Sequence, residues 1–254
     1  MWDPDAYLGY LDLRSRPFFD LVSRIDERSP RRVVDLGCGP GNLTLTLSRR
    51  WPSAALEAMD SSEEMVNAAR SRGIEARLGD VNEWSPRPDT DVVVCNAVLH
   101  WVPEHAEVLR RWVRELSAGA WIAVQLPRNF SEPSHELLRE LAAEPKWQRA
   151  LGTAVQLDGS EVLDALHYAE LFAAEGCQVD AWETTYVQRL TGKDPVLDWI
   201  SGTALRPIKD ALEPELWDRF RAQLAPRLRK AYPPRSDGTT WFPFRRVFAT
   251  ARVR

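Results

Sequence analysis

Apolar and polar positions alternate between two periods along the chain, and the order of the changes predicts a parallel sheet with helices on both faces. Residues 14–26 form a leading amphipathic helix. Arg32 to Gly37 reads as the first strand, Asn42 to Arg50 as a helix, Ala55 to Asp60 as the second strand, and Ser62 to Arg72 as a helix capped by Ser62. Ile74 to Gly79 follows as the third strand. Asp91 to Cys95 is the fourth, and its valines suit a strand buried on both faces. Glu104 to Leu116 is a helix and Trp121 to Leu126 a fifth strand. Residues 177–190 and 241–253 alternate in extended fashion and should pair as an antiparallel edge. The expected fold is α/β, with seven mostly parallel strands and an antiparallel C-terminal edge.

Two segments, 130–175 and 192–235, exceed what such a sheet needs, and both carry helical patterns. Ser160 can cap a helix that aligns Val162, Leu166, Ala169 and Phe172 and ends at Gly176. Leu216, Phe220 and Leu224 repeat at helical spacing, and Pro226 should break or kink their helix. The insertions are expected to form a helical cap over the sheet's carboxyl edge, where open α/β sheets bind ligands. Residues 1–254 then make one domain, with 30–128 as its core and a small substrate enclosed. Six of the eleven tryptophans fall between residues 112 and 217, and they read as packing rather than as a ligand cage.

Composition narrows the function. The 254 residues are 44% hydrophobic, enough for a full core, and the net charge of −4 comes without a basic tract, which argues against nucleic acid as a partner. The start, Met1-Trp2-Asp3-Pro4-Asp5, lacks a secretory pattern, and no apolar run is long enough to span a membrane. A cytoplasmic location is expected. Cys38, Cys95 and Cys177 are far apart, and His100 and His105, five apart, lack a carboxylate partner in register, so with His135 and His167 they are not expected to form a metal site.

The chemistry concentrates in Val33-Val34-Asp35-Leu36-Gly37-Cys38-Gly39-Pro40-Gly41-Asn42, followed by Asp60 at the end of the second strand. A valine-rich strand, a glycine turn and a helix make a nucleoside-binding unit, and the later acid can accept both ribose hydroxyls. The glycine spacing is G-x-G-x-G, and position 42 is Asn where a dinucleotide fingerprint has glycine. Asp35 would be unfavourable beside a pyrophosphate, but it suits a cofactor bearing an ammonium and a sulfonium. The pattern resembles motif I of the class I S-adenosylmethionine-dependent methyltransferases, whose sheet is Rossmann-like. That resemblance implies a cofactor site of Asp35, Gly37, Cys38, Gly39, Gly41, Asp60 and Ser61, with Asp80 and Val81 reading adenine and Asn96 at the methionine end. Asn96-Ala97-Val98-Leu99-His100-Trp101 is not the Asn-Pro-Pro-Tyr motif of amino methyltransferases, which argues against DNA or protein-glutamine acceptors.

End to end, the chain resembles a narrower family, the trans-aconitate 2-methyltransferases. The likeness rests on Arg14-Ser15-Arg16-Pro17, Gly37 to Asn42, His100-Trp101-Val102-Pro103, Gln125-Leu126-Pro127 with Asn129, and Glu132-Pro133-Ser134-His135. It continues in Gly176 to Trp182, Thr184-Thr185-Tyr186, Leu205-Arg206-Pro207 and Arg246-Val247-Phe248, while Arg128 and His100 depart from the pattern. The resemblance implies methyl transfer to one carboxylate of a tricarboxylate, yielding a monomethyl ester and S-adenosyl-L-homocysteine. An ionised carboxylate needs no general base. Its two other carboxylates need cations, and Arg14, Arg16, Arg206 and Arg246 are the candidates, with His100 and Trp101 as positioning residues. Tyr7 and Trp2 belong to a segment that, by the same resemblance, folds over the cofactor. Two alternatives stay open: another small-molecule acceptor with His100 as base, and a non-catalytic protein that binds the cofactor.

Overall fold

The protein is described here by a computed structural model covering residues 11–152 and 162–254, with side chains from Ser15 onward. Seven strands form one sheet: β1 (Arg32–Leu36), β2 (Ala55–Asp60), β3 (Ala76–Leu78), β4 (Thr90–Asn96), β5 (Trp121–Pro127), β6 (Gln178–Thr191) and β7 (Thr239–Arg252). Their order is β3-β2-β1-β4-β5-β7-β6. β1 pairs in parallel with both β2 and β4, β2 with β3, and β4 with β5, whereas β7 runs antiparallel to β5. The C-terminal strand therefore sits one place inside the sheet and β6 takes the edge. Strand order reverses at the β1–β4 pair, which opens a crevice at their carboxyl ends.

Val92, Val93 and Val94 have no exposed surface, as their unbroken apolar run requires. The leading helix α1 (Leu11–Val22) begins and ends earlier than its amphipathic pattern suggests. It is followed by α2 (Thr44–Arg50), α3 (Glu63–Ser71) and α4 (His105–Glu115). Ser62 caps α3 as expected, its hydroxyl oxygen accepting from the Met65 N–H. Helix α4 buries His105, Val108, Leu109, Trp112 and Val113, the stripe of an amphipathic helix on a sheet.

The described residues divide into two compact units: 11–127, 162–184 and Arg246–Arg254 in the first, 128–152 and Thr185–Arg245 in the second. The helix before β6 belongs to the first unit, although its sequence lies within the expected insertion. This helix, α7 (Ala165–Ala174), starts later than the pattern suggests. Asp164 caps it by accepting from the His167 N–H, whereas Ser160 lies outside the described residues. Tyr168, Leu171 and Phe172 face inward and Leu166 is 65% exposed, so the buried face is not the expected one of Leu166 and Ala169. His105 Nε2 and the Tyr168 hydroxyl, 2.7 Å apart, tie α4 to α7.

The second unit contains α5 (Pro133–Ala142), α6 (Pro145–Leu151), α8 (Pro195–Ser201), α9 (Arg206–Ala211) and α10 (Pro214–Ala231). Its core gathers aromatic rings: Trp147 packs edge-on against Phe220, and Trp199 against Phe242. The Trp147 indole N–H donates to Gln223 Oε1 at 2.9 Å, satisfying the polar atom that burial would otherwise orphan. Pro226 does not end α10. Pro226 and Ala222, the residue whose carbonyl loses its helical donor, are both exposed, so the lost hydrogen bond lies on the solvent side of the helix.

Candidate active site

The glycine turn after β1 is locked to the end of β2 by its own backbone. The N–H groups of Gly37 and Cys38 donate to the Met59 carbonyl at 2.8 and 2.9 Å, which brings the turn beside Asp60. Gly37, Gly39 and Gly41 all have left-handed φ, of 74°, 54° and 78°. Their surroundings differ. A Cβ on Gly37 would lie 2.0 Å from Val98 Cγ2, and one on Gly41 would lie 3.0 Å from Ala69 Cβ, but one on Gly39 would meet nothing within 4 Å. Gly37 and Gly41 thus serve packing, while Gly39 leaves room for a ligand to approach the backbone.

Asp60 joins this turn directly. Its Oδ2 accepts from the Gly39 N–H and its Oδ1 from the Ser62 N–H, both at 2.9 Å. The Ser61 N–H also acts on this carboxylate, and of its four acceptor positions the remainder is open to a ligand hydroxyl. Burial raises the Asp60 pKa, opposed by the Ser62 and Gly39 N–H groups. Ser61 is exposed next to it. The open face of Gly39 and the oriented carboxylate fit the adenosyl cofactor that the motif implies.

Asp35 lies beneath the turn, only 3% exposed. Burial pushes its carboxyl up to about 6, despite a 2.7 Å hydrogen bond from the Thr44 hydroxyl, and Asp60 adds to the rise. Thr44, fully buried at the start of α2, is a site residue that the sequence reading missed. Its signal was a hydroxyl in the first helical turn after the glycines. Cys38 is also buried, and desolvation pushes its thiol up, so it offers packing and backbone rather than a nucleophile.

Asp80 follows β3, exposed, with Oδ1 accepting from the backbone and side-chain N–H of Asn82 at 2.8 and 2.9 Å. This turn fixes the carboxylate, and Val81 beside it is buried. Asn96 ends β4. Its side-chain Oδ1 is buried and has no hydrogen-bond partner among the described residues. Ala97, next along, takes a left-handed φ of 58°, and its N–H donates to the Gln125 carbonyl at 2.8 Å.

The residues expected at the acceptor belong to several different elements. His100 and Trp101 occupy a 3₁₀ turn (Leu99–Trp101) with ring centres 4.6 Å apart, and Trp101 is 46% exposed. Arg246 is buried on β7, and its Nη1 donates to Gln125 Oε1 at 3.0 Å. Gln125 pairs in register with Asn96, and Arg246 with Pro127, so Asn96, Gln125 and Arg246 share one face at the carboxyl ends of β4 and β5. Gln125 is the second residue without an assigned role in the sequence reading. Arg16 projects from α1 with its side chain 72% exposed, 3.9 Å from Asp20. Arg206 belongs to the second unit, where its Nε lies 3.6 Å from Asp210. The side chain of Arg14, with Trp2 and Tyr7, lies outside the described residues. Among the described residues, no group of three or more His, Cys, Asp or Glu is placed to hold a metal ion, and no helix is long and apolar enough to cross a membrane.

Residues 10–181 match the methyltransferase domain family. The trans-aconitate 2-methyltransferase of Rhodococcus jostii (strain RHA1) is 61% identical over 254 residues, covering both chains completely. That of Mycolicibacterium gilvum (strain PYR-GCK) is 59% identical over the same span, again covering both chains. Among solved structures, the YcgJ protein from Bacillus subtilis has a TM-score of 0.60 at 16% identity, covering 94% of this chain and 98% of the other. Phosphoethanolamine N-methyltransferase 2 of Haemonchus contortus, solved with S-adenosyl-L-methionine, also has a TM-score of 0.60, at 13% identity, covering 99% of this chain and 57% of the other. The solved structures share the fold, while the bacterial relatives match along the whole chain, and the chain belongs to the trans-aconitate 2-methyltransferase family.

Proposed function

We propose that this chain is an S-adenosylmethionine-dependent carboxyl O-methyltransferase that forms the monomethyl ester of trans-aconitate. The observation that carries the acceptor reading is Arg246, a buried guanidinium on the face that holds Asn96 at the carboxyl ends of the central strands. The names of relatives identical at 61% and 59% support the same acceptor.

Asp60 would hold the ribose hydroxyls, Gly39 would let the cofactor lie against the turn, and Asp80 with Val81 would read adenine. Asp35 and Asn96 would serve the cationic methionine end. When bound, S-adenosylmethionine supplies an electrophilic methyl group and leaves as S-adenosyl-L-homocysteine. Arg246 would grip a carboxylate that does not react, because a guanidinium forked onto the attacked group would withdraw charge from the nucleophile. An acceptor carboxylate is already ionised at neutral pH, so His100 needs only to hydrogen-bond and orient it, with Trp101 beside it. Alignment alone can supply roughly 7–11 kcal/mol of the barrier reduction. Cys38, Cys95 and Cys177 are free thiols, which fits a reducing cytoplasm.

The test is incubation with methyl-labelled S-adenosylmethionine against trans-aconitate, cis-aconitate, isocitrate and citrate, read by mass spectrometry. A base-labile labelled ester formed preferentially from trans-aconitate supports the proposal. Cofactor binding without such an ester would overturn the acceptor assignment. With S-adenosylmethionine saturating, a kcat/KM for the acceptor that falls with protonation near the histidine range, persisting in D35N and lost in H100Q, would instead make His100 a base.

A further inference from the structure

We infer that Asn82 and Arg111 are positioning residues for cofactor recognition: together they hold the Asp80 carboxylate so that its Oδ2 faces the exocyclic amine of adenine. This rests on the reading that Asp80 meets the adenine.

Asp80 is exposed on the loop after β3, where a side chain keeps its rotamer freedom unless a neighbour fixes it. Asn82 fixes it with two donors. Its backbone N–H and its side-chain Nδ2 both reach Asp80 Oδ1, at 2.8 and 2.9 Å. A carboxylate only accepts, so the amide must turn its nitrogen that way. One carboxylate oxygen offers two acceptor positions, and Asn82 fills both on Oδ1, which leaves Oδ2 for a ligand donor. Aspartate at position 82 would lose the side-chain donor and set a second negative charge beside the first, so an amide is the side chain that suits the place.

Asn82 is itself exposed, and its placement comes from α4. Arg111 Nη2 donates to the Asn82 carbonyl at 2.7 Å and reaches the Trp84 carbonyl at 3.4 Å, bracketing the loop. Neighbouring arginines of the same helix pair with acids instead, Arg110 with Glu107 at 3.5 Å and Arg114 with Glu175 at 2.6 Å. Arg111 is spent on the backbone of this loop. Its helix is a firm base, because buried Trp112 meets buried Trp84 edge-on with ring centres 5.4 Å apart. The orientation of an exposed acid is thus set from a helix packed on the sheet.

Adenine recognition is read as the ratio of affinities for S-adenosylhomocysteine and S-inosylhomocysteine, in which an oxo group replaces the amine. Both would be measured by calorimetry on the wild type, Asn82→Ala, Arg111→Met and Asp80→Asn, with thermal melting alongside. The wild type should prefer the adenosyl ligand. That preference should fall about threefold or more in N82A and R111M through weaker S-adenosylhomocysteine binding, with S-inosylhomocysteine affinity changed less than about twofold. A purely structural role would weaken both ligands together or lower only the melting temperature, and either result would overturn the inference. An unchanged ratio in N82A or R111M while D80N lowers it would do the same. If R111M fails to fold, Arg111→Gln, with a polar head on a shorter stem, is read in its place, and failure of both to fold would make Arg111 a folding residue and overturn its role. No preference in the wild type, or an unchanged ratio in D80N, would overturn the underlying reading of Asp80 and this inference with it.

Discussion

The Gly39 N–H donates to Asp60 Oδ2 at 2.9 Å, so the residue of the turn with an open face is held by the carboxylate expected to meet the ribose. Asp60 therefore has two tasks, shaping the turn and binding the ligand. Asp60→Asn keeps one acceptor oxygen but places an N–H donor where another donor already points. S-adenosylhomocysteine affinity should fall about tenfold or more in D60N, and further in D60A, where both backbone donors lose their partner. Calorimetric titration checks this, and wild-type affinity in D60A would remove Asp60 from the site.

Glycines two residues apart should fail in different ways. Gly37→Ala forces a methyl group into Val98 in a left-handed backbone, which should cost at least about 2 kcal/mol of stability through strain and overpacking. Gly39→Ala meets no protein atom, so its backbone strain of about 1–2 kcal/mol should leave a folded protein that binds S-adenosylhomocysteine poorly. Melting curves and binding isotherms on the two variants separate these outcomes. Equal loss of both properties in each variant would contradict the division of labour.

What was legible in the sequence is what local chemistry dictates. Three glycines needing positive φ, a valine strand buried on both faces and an acid ending the next strand are signals contained within a few residues each. Asp35–Thr44 was less legible because a hydroxyl at a helix start serves equally well as a cap. Gln125–Arg246 depends on the register of two strands 121 residues apart, which no local pattern encodes. Pro226 misled because the cost of an interior proline depends on its surroundings, and here it lies on the exposed side of its helix. The face of α7 was misplaced because the stripe was read from Ser160, whereas the helix is capped at Asp164 and buries Tyr168, Leu171 and Phe172.

Asp35 should make cofactor binding depend on pH. Its pKa is raised to about 6 by burial, so the native state holds more protons than the unfolded chain between about pH 4 and 6. Stability from this group is thus fully present below about pH 4 and is lost as pH rises through about 6, the reverse of a salt-bridged carboxylate. A cationic ligand near Asp35 would favour the ionised form. S-adenosylmethionine affinity should therefore strengthen from about pH 5 to pH 7 with release of a proton, and S-adenosylhomocysteine, lacking the sulfonium, should show a smaller trend. Asp35→Asn should flatten both. A parallel trend in D35N would assign the pH dependence elsewhere.

His135 predicts the opposite slope for stability. Buried in the second unit, with Nδ1 3.3 Å from Asn129 Nδ2 and 3.2 Å from Ser134 Oγ, it has a pKa lowered to about 4, chiefly by desolvation and then by Arg139. The native imidazole is neutral, whereas the unfolded one titrates near its ordinary value. The unfolded chain thus binds the extra proton as pH falls below about 6.5, and the stability contributed by the neutral ring is lost progressively down to about pH 4. Across that window the loss approaches about 3 kcal/mol. His135→Gln removes the titration, so the stability difference between wild type and variant should shrink by that order as pH falls from neutral. Denaturant midpoints for both proteins at several pH values would test it, and curves that stay parallel throughout would show that His135 is solvated in the native protein.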